Sequence, residues 1–465
     1  MRVAFVASEV APFSKTGGLA DVVGALPGAL AALGAEVVTV TPLYRCVRRH
    51  RPEPTPHRVR VPLGDGAAEG RAFRSGNVYF LECDPFFDRD GLYGTPNGDY
   101  GDNAARFIFL ARGALELLEQ LGAPDVLHAH DWQAGLVPLY LKTLYAADFP
   151  RTRSVLTIHN LAYQGLFPPS EYPKTGLDGR HFTWKEVEFY GQVNFLKAGL
   201  VHADALTTVS PTYAREIQTP ELGCGLDGVL RERSAALHGI LNGADYSEWD
   251  PSRDPHLPAR YSAQDLSGKA LCKAALQKRC GLPARPEIPL AGMVTRLSEQ
   301  KGIDLFLEAA EALAAEDLQI VLLGSGDRSY QEAVLRVSDR HRHRICAQVA
   351  FDNALAHLIE AGSDLYLMPS RYEPCGLNQI YSLRYGTVPV VRATGGLADT
   401  VIDGVTGFTF GPYTSAAFLQ AVRRALRVYE DPPAWRRMML EGMRQDFSWG
   451  ASARRTMDLY RSLVG

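Results

Sequence analysis

Two distant segments of the chain carry almost the same residues. Thr16-Gly17-Gly18-Leu19-Ala20-Asp21-Val22-Val23 returns as Thr394-Gly395-Gly396-Leu397-Ala398-Asp399-Thr400-Val401, and only Val22 and Thr400 differ. A Thr-Gly-Gly turn that opens a helix bares backbone N–H groups in front of the positive end of the helix dipole, a combination suited to an anion. Either two helix starts coincide, or two lobes each present such a turn to one ligand. Arg296 and Lys301 lie in Val294-Thr295-Arg296-Leu297-Ser298-Glu299-Gln300-Lys301-Gly302, between a strand end and a helix start. A planar guanidinium fork and a point-charge ammonium suit a diphosphate, although a solvated loop reads the same way in isolation. In Glu373-Pro374-Cys375-Gly376-Leu377 an acid precedes a helix start. Glu373 either caps that helix or accepts hydrogen bonds from sugar or ribose hydroxyls. The amides of Cys375, Gly376 and Leu377 face phosphate oxygens on the second reading, with Gly376 allowing close approach. Cys375 has no His near it in sequence and reads as a small packing residue.

Other groups carry weaker signals. Asp131 and His159 both end strands, but no Gly-x-Ser-x-Gly elbow accompanies them as a hydrolase triad would require. Asp88-Arg89-Asp90 resembles the Asp-x-Asp metal motif of one glycosyltransferase class. It sits in an Asp/Gly/Tyr-rich loop rather than after a core strand, so no metal is expected there. Gly324-Ser325-Gly326-Asp327 lacks the full dinucleotide fingerprint, which argues against a redox cofactor. Tyr93 to Tyr100 reads as a mobile loop able to stack on sugar.

The elements that position these groups follow a repeated rhythm. Strands are expected at 3–7, 37–41, 127–129 and 155–158, with a helix over 18–33. After a break the pattern restarts, with strands at 288–294, 319–323, 364–368 and 388–391 and helices over 303–314 and 376–385. This is the βαβ rhythm of a parallel sheet covered on both faces, run twice. Polar motifs fall at strand carboxyl ends, where open parallel sheets bind ligands. The turn-rich stretch 242–258 marks the boundary, giving lobes of 1–241 and 242–448, with a last helix over about 449–465 packing back on the first.

Bulk properties narrow the classes. At 465 residues the chain is too long for one ordinary core. Its 46% hydrophobic and 22% charged content is that of a soluble globular protein. A net charge of −3 points to neither nucleic acid nor an anionic membrane. The seven cysteines (46, 83, 224, 272, 280, 346 and 375) lack Cys-x-x-Cys spacing and read as reduced thiols, with a cytoplasmic location expected. The apolar run after Met1 is too short for a signal peptide, and Glu9 and Lys15 interrupt the segment beyond it.

Taken together, the motifs resemble those of bacterial glycogen synthases over nearly the whole chain. Lys15-Thr16-Gly17-Gly18-Leu19-Ala20-Asp21 is similar to that family's N-terminal signature, and Ser370-Arg371-Tyr372-Glu373-Pro374-Cys375-Gly376-Leu377 to its C-terminal one. His130-Asp131-Trp132 and His159-Asn160 match as well. The resemblance implies a GT-B fold, two Rossmann-like lobes facing a deep cleft. It implies transfer of glucose from ADP-glucose to the non-reducing end of an α-1,4-glucan such as glycogen, with retention and without metal or cofactor. By the same resemblance, Arg296 and Lys301 hold the diphosphate, and Lys15, Gly17, Gly18 and Asp21 lie on the donor side with Cys375, Gly376 and Leu377. Glu373 binds the transferred glucose and His159 its hydroxymethyl region. Asp131, with Trp132 beside it, sits near the anomeric carbon or the incoming acceptor. Asn242 lines the cleft and Tyr93 helps close it. Many retaining relatives carry a second Glu seven positions after the first, where this chain has Tyr381. Retention without an obvious carboxylate nucleophile favours acceptor attack on the face that ADP leaves, with Asp131 as covalent nucleophile the alternative. A UDP-glucose-using transferase of the same fold and a non-catalytic glucan-binding scaffold remain competing readings. A glucan phosphorylase would need a pyridoxal-phosphate lysine and usually a longer chain.

Two turns and two cations split between lobes can meet one ligand only if the lobes approach each other. The radius of gyration is therefore expected to fall on adding saturating ADP with a glucan, and an unchanged value with binding verified would favour a preformed site.

Overall fold

The computed structural model describes residues 1–95 and 97–465. Pro96, part of the Tyr93–Tyr100 loop, lies outside the described residues. The chain forms two compact units, Met1–Gly243 with Trp449–Gly465, and Ala244–Ser448. Asn242 thus belongs to the first unit.

The main sheet of the first unit has nine strands. They are β1 (Arg2–Val6), β2 (Glu36–Pro42), β3 (Glu53–Leu63), β4 (Gly66–Ser75), β5 (Val78–Glu82), β6 (Val126–His130), β7 (Arg153–Ile158), β8 (Ala205–Thr208) and β9 (Leu237–Gly239). Their order is β9-β8-β7-β6-β1-β2-β5-β4-β3. From β9 to β5 the pairings are parallel, and β5-β4-β3 is an antiparallel extension. Val3, Phe5 and Val6 are fully buried, as expected of a central parallel strand covered on both faces. Helix α1 (Gly18–Ala31) follows β1, and α2 (Asn103–Leu121) is buried along almost its whole length. The antiparallel meander was not expected. Its alternation is masked by charge: Arg58, Arg60, Glu69, Arg71 and Arg74 punctuate it, and its buried apolar face there reduces to Val59, Val61 and Ala72.

The chain leaves β1 for β2 on one side of the sheet and returns later to β6 on the other. Such a reversal of winding opens a crevice at the strand carboxyl ends. The loop carrying Glu9, Lys15 and Gly17 leaves β1 there, and Asp131 follows β6 there.

The second unit repeats the plan with six parallel strands, β10 (Leu290–Val294), β11 (Gln319–Gly324), β12 (Ile345–Val349), β13 (Leu365–Met368), β14 (Val388–Arg392) and β15 (Phe408–Phe410). Their order is β12-β11-β10-β13-β14-β15. The reversal lies between β10 and β13, so the Arg296–Lys301 loop and the Ser370–Leu377 loop share one crevice. Helices α3 (Ser267–Arg279) and α4 (Ile303–Ala315) precede and follow β10. Helix α5 (Asn378–Arg384) starts two residues later than expected, because Gly376 adopts φ +72° and Leu377 is the cap. A short α6 (Gly395–Thr400) follows β14.

The two Thr-Gly-Gly turns do different work, which corrects the expectation that both face a ligand. Gly17 and Gly18 are exposed, and a methyl group on either would meet nothing within 4 Å. Gly395 and Gly396 are buried against the Glu373 loop. A methyl on Gly395, at φ +45°, would lie 1.9 Å from the Glu373 carbonyl oxygen, and one on Gly396 2.0 Å from that of Cys375. The Gly396 N–H donates to the Glu373 carbonyl at 3.1 Å. The second turn therefore shapes the loop that carries Glu373. Gly395→Ala or Gly396→Ala is expected to cost on the order of 2–4 kcal/mol, the range for backbone strain with steric overlap, and Gly17→Ala within about 0.5 kcal/mol. Equal shifts in urea-denaturation midpoint for Gly17→Ala and Gly395→Ala would contradict this assignment.

Candidate active site

In the first unit, Glu9 organises the loop after β1. It is only 3% exposed. It accepts from the Thr16 backbone N–H, from the Thr16 hydroxyl at 2.6 Å and from the Gly17 N–H at 3.3 Å. The Tyr93 hydroxyl donates to it at 2.5 Å and in turn accepts from Ser8 at 2.7 Å. Two N–H groups expected to be bared to an anion are thus already satisfied. Tyr93, read from sequence as part of a mobile loop, is anchored at both ends of its residue. Its carbonyl accepts from Asn103 at 2.9 Å, while the buried Arg106 guanidinium donates to the carbonyls of Phe86 and Leu92, each at 2.8 Å. Lys15 and Asp21 pair at 2.6 Å on the exposed side of the turn.

Beyond β6 the backbone at Asp131 takes φ +55° and ψ −171°, a region in which non-glycine residues are strained and which concentrates at functional positions. The strain is held by bonds on both sides. The Asp131 N–H donates to the Thr157 carbonyl at 2.9 Å, and Asp131 Oδ1 accepts from the His159 N–H at 2.7 Å. Burial pushes the Asp131 carboxyl up to about 7; the backbone N–H groups of His159 and Asn160 oppose that shift and the Glu9 charge adds to it.

Three histidines lie behind Asp131. His130 Nδ1 and His159 Nε2 are 3.0 Å apart, and His128 stacks on His130 with centroids at 4.3 Å. His128 is held by the Tyr460 hydroxyl and by Thr157 Oγ1, each at 2.5 Å, which ties the C-terminal helix Trp449–Val464 to the site floor. Burial lowers the pKa of His128 and of His159 to about 3, and that of His130 well below its ordinary value. All three are neutral at pH 7, so His159 can hydrogen-bond a substrate but brings no charge. Asn242 lines a pocket of about 20 Å³ together with His130, Thr207, Thr456 and the apolar Val22 and Ile240. Trp132 is half-buried and lies against Phe107 and Phe167, at 4.9 and 5.8 Å between centroids.

In the second unit, Lys301 and Glu373 meet. Lys301 Nζ donates to Glu373 Oε2 at 2.6 Å, and the Ser370 hydroxyl donates to the same oxygen at 3.1 Å. Glu373 is 4% exposed, and the pairing with this cation offsets the loss of water around its carboxylate. It does not cap α5. Gly302 makes the meeting possible: at φ +72°, a methyl there would lie 2.0 Å from the Pro369 carbonyl oxygen. The Arg371 N–H donates to the Gln300 carbonyl at 2.8 Å, binding the two loops together. Arg296 is exposed, and its guanidinium reaches Gln300 Oε1 at 3.3 Å. Cys375 is buried, consistent with packing, and Gln379 donates to the carbonyls of Cys375 and Gly376, each at 3.0 Å. Asp88 and Asp90 are both engaged by Arg45, at 2.9 and 2.6 Å. Among the described residues no group of three or more His, Cys, Asp or Glu is arranged to hold a metal.

Sequence reasoning missed Glu9 and Arg106. An acid directly after a buried strand and before the turn was the available signal for Glu9; nothing in the sequence marks Arg106 as an anchor.

Known proteins resemble the chain over nearly its whole length. Residues 2–232 match the starch synthase catalytic domain family, and residues 278–438 the glycosyl transferases group 1 family. A glycogen synthase of Anaeromyxobacter dehalogenans is 56% identical over all of this chain and 99% of its own. One from Koribacter versatilis is 50% identical over 99% of this chain and 98% of its own. The chain belongs to the glycogen synthase family. The catalytic domain of starch synthase IV from Arabidopsis thaliana, solved bound to ADP and acarbose, superposes with a TM-score of 0.91 at 36% identity, covering 99% of each chain. The fold is accordingly of GT-B type and the protein a glycosyltransferase. No helix among the described residues is long and apolar enough to cross a membrane.

The neutral histidines give the first unit a definite response to acid. Their folded pKa values lie below the unfolded value near 6.5, so the unfolded chain binds the extra protons as pH falls below about 6.5 and stability is lost, by up to ~1.4 kcal/mol per pH unit for each. Asp131 acts with the opposite sign: its raised pKa makes the folded state hold a proton that the unfolded chain releases between about pH 4 and 7. The histidines outnumber it, so acidification from pH 7 to 5 should lower the denaturation midpoint. Asp131→Asn removes the opposing contribution, and its midpoint should fall more steeply than that of the wild type; a shallower slope would reverse the assignment.

Proposed function

We propose that this glycosyltransferase of glycogen biosynthesis takes ADP-glucose as donor and extends the non-reducing end of an α-1,4-glucan, releasing ADP with retention of configuration and without a metal or cofactor. The Lys301–Glu373 pair carries the reading. A buried acid held by a cation at the winding reversal of a parallel sheet is a site charged for exchange. When a diphosphate arrives, Lys301 turns to its oxygens, and Glu373 is released to accept hydrogen bonds from the sugar hydroxyls. Arg296, exposed in the same loop, supplies the second positive charge. Negative charge grows on the departing phosphate as the anomeric bond breaks, and fixed cations stabilise it more than they stabilise the ground state.

In the first unit, His159 offers a neutral hydrogen bond to the glucose hydroxymethyl region. Asp131 already spends Oδ1 on the His159 N–H, and burial favours its protonated form near neutrality. Both features suit positioning of the acceptor hydroxyl better than covalent attack. The departing phosphate then takes the acceptor proton. ADP and acarbose bound to the Arabidopsis relative support the same assignment of donor nucleotide and glucan class.

With a glucan primer, ADP-glucose should show a higher kcat/KM than UDP-glucose or GDP-glucose; a higher value for either competitor overturns the donor assignment. Arg296→Ala and Lys301→Ala should each lower kcat roughly a hundredfold, the scale for losing a transition-state charge partner. The two should differ in stability. Lys301→Ala strands the buried Glu373 charge and should cost about 3 kcal/mol, whereas Arg296→Ala should leave the unfolding midpoint unchanged. EDTA should leave wild-type activity intact, and loss restored by a divalent ion would return Asp88 and Asp90 to consideration.

A further inference from the structure

The seven thiols show no redox spacing in sequence, yet the fold of the second unit brings two of them together. Cys280 caps the C-terminal end of α3, and Cys346 lies on β12, the edge strand of the sheet. Cys346 pairs with Val321 of β11, and Gln348 with Leu323. Val321 and Leu323 pack in one cluster with Leu276 of α3, so Cys346 and Gln348, two apart on their strand, both face that helix. Gln348 Nε2 reaches Cys280 Sγ at 3.9 Å, and Cys280 and Cys346 pack against the same apolar cluster. Both cysteines are half-buried, open enough for a small oxidant.

We propose that Cys280 and Cys346 form a reversible disulfide that fastens α3 to the edge strand of the second unit. The chemistry is set up asymmetrically. Hydrogen bonding from the Cys280 thiol draws the Cys346 pKa down to about 7 against burial, with Gln348 assisting, while Cys280 is raised by the same bond and by burial. Cys346 is therefore the thiolate and Cys280 the resolving thiol. With hydrogen peroxide as oxidant, Cys346 Sγ attacks a peroxide oxygen, the O–O bond breaks, and a sulfenic acid forms as hydroxide leaves. Cys280 Sγ then attacks the Cys346 sulfur, the S–O bond breaks, and the Cys280 proton leaves with the departing hydroxide as water. Two thiols lose two electrons and two protons, and the peroxide becomes two waters. A dithiol reverses the step.

The link would close a loop of 66 residues between positions 280 and 346. Cross-links of that span restrict the unfolded chain strongly, so the oxidised protein should melt higher by roughly 5–10 °C. The test treats the full chain with a small excess of hydrogen peroxide, alkylates the remaining thiols, digests with trypsin and maps disulfides by mass. The expected result is a linked pair of peptides, 280–296 with 345–371, lost on adding dithiothreitol. The rise in melting temperature should accompany it and vanish in Cys280→Ser and Cys346→Ser. In Cys280→Ser, Cys346 should advance to sulfinic acid for want of a resolving partner. Recovery of both cysteines alkylated while the exposed Cys224 is oxidised would overturn the proposal, as would a linkage joining either of them to another cysteine.

Discussion

A buried carboxylate needs partners in place of water, and at Glu373, 4% exposed, the main partner is a cation on which the second unit depends. Lys301 supplies the charge, but only because two backbones pass closer than any side chain allows. Gly302 slides beneath Pro369, and Gly395 and Gly396 pass beneath the carbonyls of Glu373 and Cys375. The loop after β10, the loop after β13 and the turn after β14 are thereby fixed to one another around a single ion pair. The cost of burying Glu373 is met while Lys301 holds it. A ligand able to offer Lys301 a stronger partner, and Glu373 a set of hydroxyl donors, is the natural competitor for that arrangement.

The first unit solves a related problem with different groups. Glu9, at 3% exposure, has no lysine or arginine bonded to it; it is held by N–H and O–H donors from Thr16, Gly17 and Tyr93. Three or more donors can keep a carboxylate buried, as a cation can. In both units, therefore, an acid after a core strand organises a Thr-Gly-Gly turn. Glu9 does so with its side chain, and Glu373 with its main-chain carbonyl. The sequence repeat is real, but it encodes a turn that an acid can grip in either way, not one binding function used twice.

What could be read from the chain divides along a physical line. The parallel strands were legible because burial on both faces demands runs of Val, Ile and Leu, and their carboxyl ends marked Arg296, Lys301, Asp131, His159 and Glu373 as positions of interest. The antiparallel strands β3 and β4 were not legible, since Arg58, Arg60 and Arg71 cover them with charge and hide the alternation. Pairings between distant residues were also out of reach. Spacing places Lys301 and Glu373 at strand ends, but only strand order puts β10 beside β13. The same holds for Tyr93, whose glycine-rich neighbourhood suggests mobility while Arg106 and Asn103 hold the loop from inside the core. Cys280 and Cys346 are a further case, because their proximity depends on the register of β11 against β12.

The exposed turn is held to a different constraint. At Gly395 and Gly396 the glycines have an internal reason, since a methyl group would collide with backbone at 1.9 and 2.0 Å. At Gly17 and Gly18 that reason is missing. Gly17 sits in extended backbone at φ −153°, which any residue adopts, and neither glycine has a neighbour within 4 Å of the missing methyl. Glycine there costs backbone entropy on folding, and the folded chain recovers nothing for it. An internal account of this unit therefore leaves the two residues without a purpose. A ligand whose phosphates or sugar must approach the backbone more closely than a methyl permits would supply one, and that is the steric condition the proposed donor contact with Lys15, Gly17 and Gly18 sets.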